Sequence, residues 1–229
     1  MIYAIGDLHL DHTGQKPMDI FGEKWINHEN NIIDNWMQVV KNDDLVIIPG
    51  DISWALRLDE VKGDLQKIDM LPGKKIMLKG NHDYWWTSLS KLVALNYESI
   101  FYLQNNSYIN GDIGIAGTRG WISRDNDEFN EDDEKVFKRE EMRLRMSLDS
   151  AKKARDIIAI MHYPPFNIDL TPNEFVDIMK EYKVSTCLYG HLHADGHKYA
   201  VEGNISGITF HCVASDFIDF KPKLILEEC

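Results

Sequence analysis

A chain of 229 residues, 44% of them hydrophobic, can bury one sizeable core and reads as a single domain over residues 1–229 that needs no staple to fold. Asp and Glu outnumber Lys and Arg by 37 to 25, and the resulting net charge of −12 disfavours sequence-independent attraction to a nucleic-acid backbone. Cys187, Cys212 and Cys229 are too few and too scattered for a disulfide framework, no apolar run has the length of a membrane span, and the first strand signal begins almost at Met1, so the expectation is a cytoplasmic protein without a membrane partner.

In chain order, Ile2–Ile5 is a strand-like apolar run. Trp25, Ile32, Trp36 and Val39 or Val40 then recur at helical spacing and predict a helix near residues 23–41, ended by Asn42-Asp43-Asp44. Leu45–Ile48 is the next strand, and Leu56–Ile68 the next helix. After the strand Ile76–Leu78, Thr87–Leu95 has a helical pattern with Thr87 as N-cap. This alternation argues for βαβ units. From Ser99 to Thr118 strands follow one another across Asn-Asn and Asn-Gly-Asp turns, so the sheet is expected to become partly antiparallel there. Residues 123–134 read as an acidic loop and Lys135–Ala154 as a charged helix; the segment 123–154 is either a surface helix with its approach or a lid. Ile157–Met161, Cys187–Tyr189, Ile208–Ala214 and Leu224–Leu226 complete the strands.

Five fragments rich in Asp, His and Asn follow these strands: Asp7-Leu8-His9, Gly50-Asp51, Gly80-Asn81-His82-Asp83, His162 and Gly190-His191-Leu192-His193. Loops at the carboxyl ends of strands in an α/β sheet gather into one crevice, so residues distant in sequence can share a pocket. Carboxylate, Asn carbonyl and neutral imidazole suit Mn, Fe, Zn or Ni, and no cysteine falls within the fragments. Each fragment alone is weak; their joint occurrence, each behind a strand, carries the inference.

In order and spacing the fragments resemble the calcineurin-like metallophosphoesterase superfamily, whose pattern is DxH, GD, GNH[DE], H and GHxH, and the resemblance spans residues 7 to 193. It implies a four-layer α/β/β/α sandwich, two mixed sheets flanked by helices. It also implies two divalent or trivalent metal ions, with Asp7, His9 and His193 on the first, Asn81, His162 and His191 on the second, and Asp51 bridging both. A hydroxide held between the ions would attack phosphorus. His82 would contact the phosphate and protonate the leaving oxygen, and Asp83 would orient its imidazole.

Departures from the pattern of particular branches narrow the expectation. Gly50-Asp51-Ile52-Ser53-Trp54 and Lys79-Gly80-Asn81-His82-Asp83 lack the arginines of Ser/Thr protein phosphatases, and Trp54 stands where purple acid phosphatases carry a tyrosine ligand. The expected partner is a soluble phosphodiester or phosphomonoester. The alternatives are a nuclease, a nucleotide or lipid-precursor pyrophosphatase, or a scaffold of the same fold without turnover. Outside the pattern, Arg119 in Gly117-Thr118-Arg119-Gly120-Trp121 is either a surface turn or a phosphate fork, Trp54 either core or an aromatic wall, and His12 either a loop residue or a substrate contact. His28 is expected on the surface and His211 as a satisfied core group.

Overall fold

In a computed structural model that describes residues 1–227, the strands form two sheets. The first has the order β11-β1-β2-β3-β4, from Lys223–Leu226, Ile2–Ala4, Leu45–Ile48, Lys74–Leu78 and Ile100–Leu103. The second has the order β5-β6-β7-β8-β10-β9, from Ser107–Asn110, Ile113–Thr118, Asp156–Met161, Thr186–Tyr189, Ile208–Cys212 and Gly203–Ile205. Neighbours β1 to β4 and β6, β7, β8 and β10 run parallel, while β11, β5 and β9 pair antiparallel at the edges.

Strand alternation explains why the central strands read as unbroken apolar runs. Ile2, Ala4, Leu45, Ile47, Ile76 and Leu78 face the second sheet and meet Ile158, Ile160, Leu188 and Val213. Their neighbours Tyr3, Ile5, Val46, Ile48 and Met77 face the opposite way, toward Ile32, Trp36, Leu65 and Ile68 on helices α1 (His28–Val39) and α2 (Lys62–Met70). On the far side, Ile157, Ala159, Met161, Cys187 and Tyr189 pack on Phe137, Leu144 and Leu148 of α4 (Glu131–Ala151) and Phe175 and Val176 of α5 (Glu174–Glu181). Strands buried on both faces need no polar alternation. The three apolar layers make the four-layer α/β/β/α sandwich expected from the motifs.

Several boundaries differ from the sequence reading. The first helix begins at His28, because 3-10 turns at Met18–Phe21 and Glu23–Trp25 precede it and Asn27 at its N-cap is left-handed, with φ 58°. In α2 the start moves to Lys62, since the Glu60 carboxylate accepts from the amides of Leu56 and Arg57 and holds a turn there. The short α3 (Leu89–Val93) has Ser88 rather than Thr87 at its N-cap. Helix α4 takes in the last third of the supposed acidic loop: Asn130 Oδ1 accepts from the amides of Asp132 and Asp133, and the Asp133 carboxylate accepts in turn from the amide of Asn130. Four acidic residues in its first turn are favoured there by the helix dipole. Buried Phe137, Leu144 and Leu148 make α4 part of the second sheet's core, a packing that weighs against a hinged lid. Strand β4 lies parallel to β3 in the first sheet, so the antiparallel turn is confined to β5–β6. Helix α5 and strand β9 were not anticipated. Cys187 and Cys212 are buried free thiols, and Cys229 lies outside the described residues.

Candidate metal centre

The carboxyl ends of β1, β2 and β3 meet those of β7 and β8 along one edge of the sandwich. The two sheets are stitched together there: Gly6 N donates to Val213 O at 2.7 Å, and Ser215 N donates back to Gly6 O at 3.1 Å. Every one of the five fragments starts at this seam. Asp7, His9, Asp51 and His191 all adopt left-handed backbone, with φ of 56°, 46°, 50° and 72°. Non-glycine residues in that region are strained, and such strain concentrates at functional sites. Two glycines admit the close approaches the site needs. A Cβ at Gly80 would collide with the carboxylate and amide of Asp51, and a Cβ at Gly190 with the carboxylate of Asp7. The G in GNH and in GHxH is therefore a spacing device.

Two clusters result. His9 Nε2 and His193 Nε2 are 3.3 Å apart, and His193 Nε2 is 3.4 Å from Asp7 Oδ1. In the second cluster His162 Nε2 is 2.5 Å from Asn81 Oδ1, 3.2 Å from His191 Nδ1 and 3.4 Å from Asp51 Oδ2. Asp51 Oδ2 also lies 3.8 Å from His9 Nε2, so its carboxylate stands between the clusters. Asp7, His9 and His193 form one potential ligand group, and Asp7, Asp51 and His162 another. All seven residues implied as ligands are thus brought together.

The proton positions show what this convergence is for. His162 Nδ1 is 2.9 Å from the carbonyl oxygen of Pro49, which can only accept, so Nδ1 carries the hydrogen. Burial pushes the His162 pKa down to about 3, and the ring is neutral. Its Nε2 therefore presents a lone pair, and that lone pair faces the oxygens of Asn81 and Asp51. A neutral imidazole lone pair set 2.5 and 3.4 Å from two oxygens is an arrangement that a cation between them satisfies. The donor set, imidazole nitrogen with carboxylate and amide oxygen, fits a borderline divalent ion such as Mn, Fe, Zn or Ni. Without that charge, burial first, then Asp83 and Asp7, holds the Asp51 carboxyl well above the usual carboxylate range.

Around the ligands, His82 donates its backbone N–H to Asp51 Oδ1 at 2.8 Å. Its ring lies against Trp54, centroids 4.6 Å apart, and makes no side-chain hydrogen bond among the described residues. Burial, then neighbouring His193, lowers its pKa. Trp54 also stacks on His9 at 4.8 Å, which places it in the wall of the site. Asp83 corrects the expectation. Its carboxylate does not reach the His82 ring; it accepts from the amides of Ile52, Ser53 and Gly80 at 2.9, 3.2 and 2.8 Å and from Trp85 Nε1 at 3.1 Å. It ties the Gly50-Asp51 loop to the Gly80-Asn81 loop, and so holds the candidate ligands Asp51 and Asn81 in register rather than the His82 ring.

Other candidates fall elsewhere. His12 sits outside the ligand set, with its amide bonded to Asp64 Oδ1 at 2.9 Å and its ring Nδ1 3.5 Å from the same oxygen. Arg119 lines a neighbouring cavity with Lys79, and its carbonyl accepts from the amide of His162. His28 is half-buried, because its Nε2 reaches 3.3 Å from His9 O and its ring edges Trp25, not a free surface group. His211 is not a satisfied core group: alternation along β10 turns it outward, and its Nδ1 has no hydrogen-bond partner among the described residues.

Sequence reasoning missed Asp216. Its Oδ1 is 2.8 Å from His193 Nδ1, its Oδ2 accepts from the amide of Ala194 at 3.1 Å, and His197 Nε2 stands 3.1 Å from Oδ2. An acid directly behind the strand run Ile208–Ala214 was the available signal, the same one that marks Asp7 and Asp51. Burial opposes the charge on His193, but Asp216 and Asp7 outweigh it and raise the metal-free ring to about 10. A carboxylate behind a metal-ligating imidazole fixes its tautomer and raises its basicity.

An uncharacterised protein of Methanocaldococcus jannaschii, MJ1445, is 24% identical over 177 residues, 74% of this chain and 88% of its own length. The [acyl-carrier-protein] phosphodiesterase PptH of Mycobacterium tuberculosis is 28% identical over 104 residues, 45% of this chain but 27% of its own. The crystal structure of PptH, described as a phosphopantetheinyl hydrolase, superposes with a TM-score of 0.57 at 17% identity, covering 97% of this chain and 95% of that one. AQ665 of Aquifex aeolicus, of unknown function, superposes with a TM-score of 0.51 at 19% identity over 97% and 94%. Among the described residues no helix is long and apolar enough to cross a membrane. The family model for calcineurin-like phosphoesterases matches residues 1–195, and the chain belongs to that family of metal-dependent phosphohydrolases.

Proposed function

We propose that the chain hydrolyses a small phosphodiester or phosphomonoester at a two-metal centre. Asp7, His9 and His193 hold one ion, Asn81, His162 and His191 the other, and Asp51 stands between them. The observation that carries this reading is the lone pair of His162 Nε2 turned toward the oxygens of Asn81 and Asp51, 2.5 and 3.4 Å away.

When bound, the ions supply Lewis acidity toward the phosphoryl oxygens and lower the pKa of coordinated water. The chain's own residues do the rest. Asp51 and Asp7 bring negative charge to the middle of the site. Pro49 O and Asp216 fix the tautomers of His162 and His193, so that both Nε2 atoms point inward. His82, held by its backbone bond to Asp51 and steadied by Trp54, keeps an imidazole N–H free of acceptors among the described residues, and this donor is assigned to the phosphate and its leaving oxygen. Positioning and charge carry most of the catalysis in phosphoryl transfer.

The name of PptH supports ranking a phosphodiester first. Incubation of the chelated and Mn²⁺-reconstituted protein with bis(4-nitrophenyl) phosphate and 4-nitrophenyl phosphate tests the proposal. Mn²⁺-dependent release of nitrophenolate is the expected result; absence of turnover on any phosphate ester by protein that has bound metal leaves a scaffold.

A further inference from the structure

Beside the metal centre, at the ends of β3, β4 and β6, a cavity of about 360 Å³ gathers positive charge. Lys79, Arg119, Arg139 and Arg143 line it together with one carboxylate, Glu140. Such a surplus stands out in a chain with a net charge of −12. The single acid is already committed: Glu140 accepts from Thr118 Oγ1 at 2.5 Å and from Arg143 Nη1 at 2.7 Å.

The Arg119 guanidinium lies over the Trp121 ring, 4.4 Å from its centroid, but hydrogen-bonds to no acid among the described residues. Its Nη2 is 3.8 Å from Glu140 Oε1, beyond hydrogen-bond range, and its Nε has no partner among the described residues. Thr87 Oγ1, on another wall, is likewise without a partner among them. Gln104 gives its carbonyl to Trp86 Nε1 at 3.0 Å and so keeps its amide donors. A half-buried cation without a hydrogen-bonded acid, as Arg119 is among the described residues, is costly, and an anion with several acceptor oxygens removes that cost by charge-assisted bonds.

We infer that this cavity is a second anion site, for a phosphate-type group held by Arg119, Lys79 and the arginines of α4. It is continuous in the chain with the metal centre. Lys79 precedes Gly80-Asn81, and the carbonyl of Arg119 accepts from the amide of His162 at 3.1 Å. Resting on the phosphoesterase reading, the inference makes the occupant a second phosphate of the substrate, while the site itself stands apart from turnover.

Two measurements on the Mn²⁺-loaded full chain test it. Crystals soaked in sodium tungstate should show an anomalous peak within the Arg119–Lys79–Arg143 cavity, separate from any at the metals. That peak should be lost in Arg143→Gln; Arg139→Gln, at an exposed position without an ion pair among the described residues, should weaken it and serves if the first variant is unstable. In solution, thymidine 5′-(4-nitrophenyl phosphate) is compared with the same ester carrying a 3′-phosphate. The 3′-phosphate should raise kcat/KM about tenfold, the worth of one good charge-assisted contact, and the ratio should fall toward unity in the variants. A cavity peak with equal kcat/KM for the two esters supports the site and assigns it to a free anion. If neither ester is cleaved, the phosphoesterase reading fails while the tungstate result still decides this one. Tungstate at the metals alone overturns the inference.

Discussion

Asp216 Oδ1 lies 2.8 Å from Nδ1 of His193, and the same carboxylate accepts from the amide of Ala194, so one acid fixes both the tautomer of a candidate ligand histidine and the turn that carries it. Asp216→Ala frees that ring to rotate while leaving all seven candidate ligands in place. Metal affinity is expected to fall about 10–100-fold, as it does when such an outer carboxylate is removed. Calorimetric titration of Mn²⁺ into the chelated protein checks this, and raised Mn²⁺ should restore turnover.

Protons compete for the same ring. In the metal-free protein, Asp216 and Asp7 raise His193 to about 10 against the opposing effect of burial, so at neutral pH the imidazole is charged and must lose a proton to become a ligand. Metal binding therefore releases a proton, and affinity drops as pH falls below that value, by about tenfold per unit from this group. Titrations in buffers of different ionisation enthalpy count the proton. Asp216→Asn removes one of the two carboxylates that raise the ring and should flatten the dependence.

Asp83 is a prediction about stability more than chemistry. Asp83→Ala strands three buried amides and the Trp85 indole N–H together, and the cost expected for such a loss is about 3–5 kcal/mol. Urea unfolding of the metal-free protein measures it. Were Asp83 instead a partner of the His82 ring, stability would be unchanged and only turnover would fall.

His82→Ala has the opposite signature. The backbone bond to Asp51 survives any side-chain change, so both metals should be retained while kcat falls about 10²–10⁴-fold, the range for a lost acid–base group. Metal analysis beside kcat separates the two effects, and loss of an ion would make His82 a ligand.

How legible all this was in the sequence depends on what each residue's neighbours had to be. The β2 strand Leu45–Ile48 could be read directly, because burial on both faces leaves no polar residue in it. The ligand fragments could be read because strand ends share a crevice whatever the loops do. Helix α4 was misjudged at its start, since the acids of residues 131–134 signal a helix N-terminus only once Asn130 is recognised as its cap. Asp216 stood in an unmatched stretch, and the link to His193 crosses from one strand end to another. The contacts of Asp83 were beyond reach for the same reason, and for Arg119 the sequence left a surface turn and a phosphate fork both open. The choice depends on which backbone amides or charged groups the folded loops bring together, and residue type alone does not set that.

The central claim is that turnover needs two ions with Asp51 between them. Chelated protein is titrated with Mn²⁺ while hydrolysis of bis(4-nitrophenyl) phosphate is followed, for the wild type and Asp51→Asn. The account predicts little activity through the first equivalent, a rise with the second, and no activity with weakened metal binding in the variant. Full activity at one equivalent, or an Asp51→Asn protein that turns over like the wild type, would contradict it.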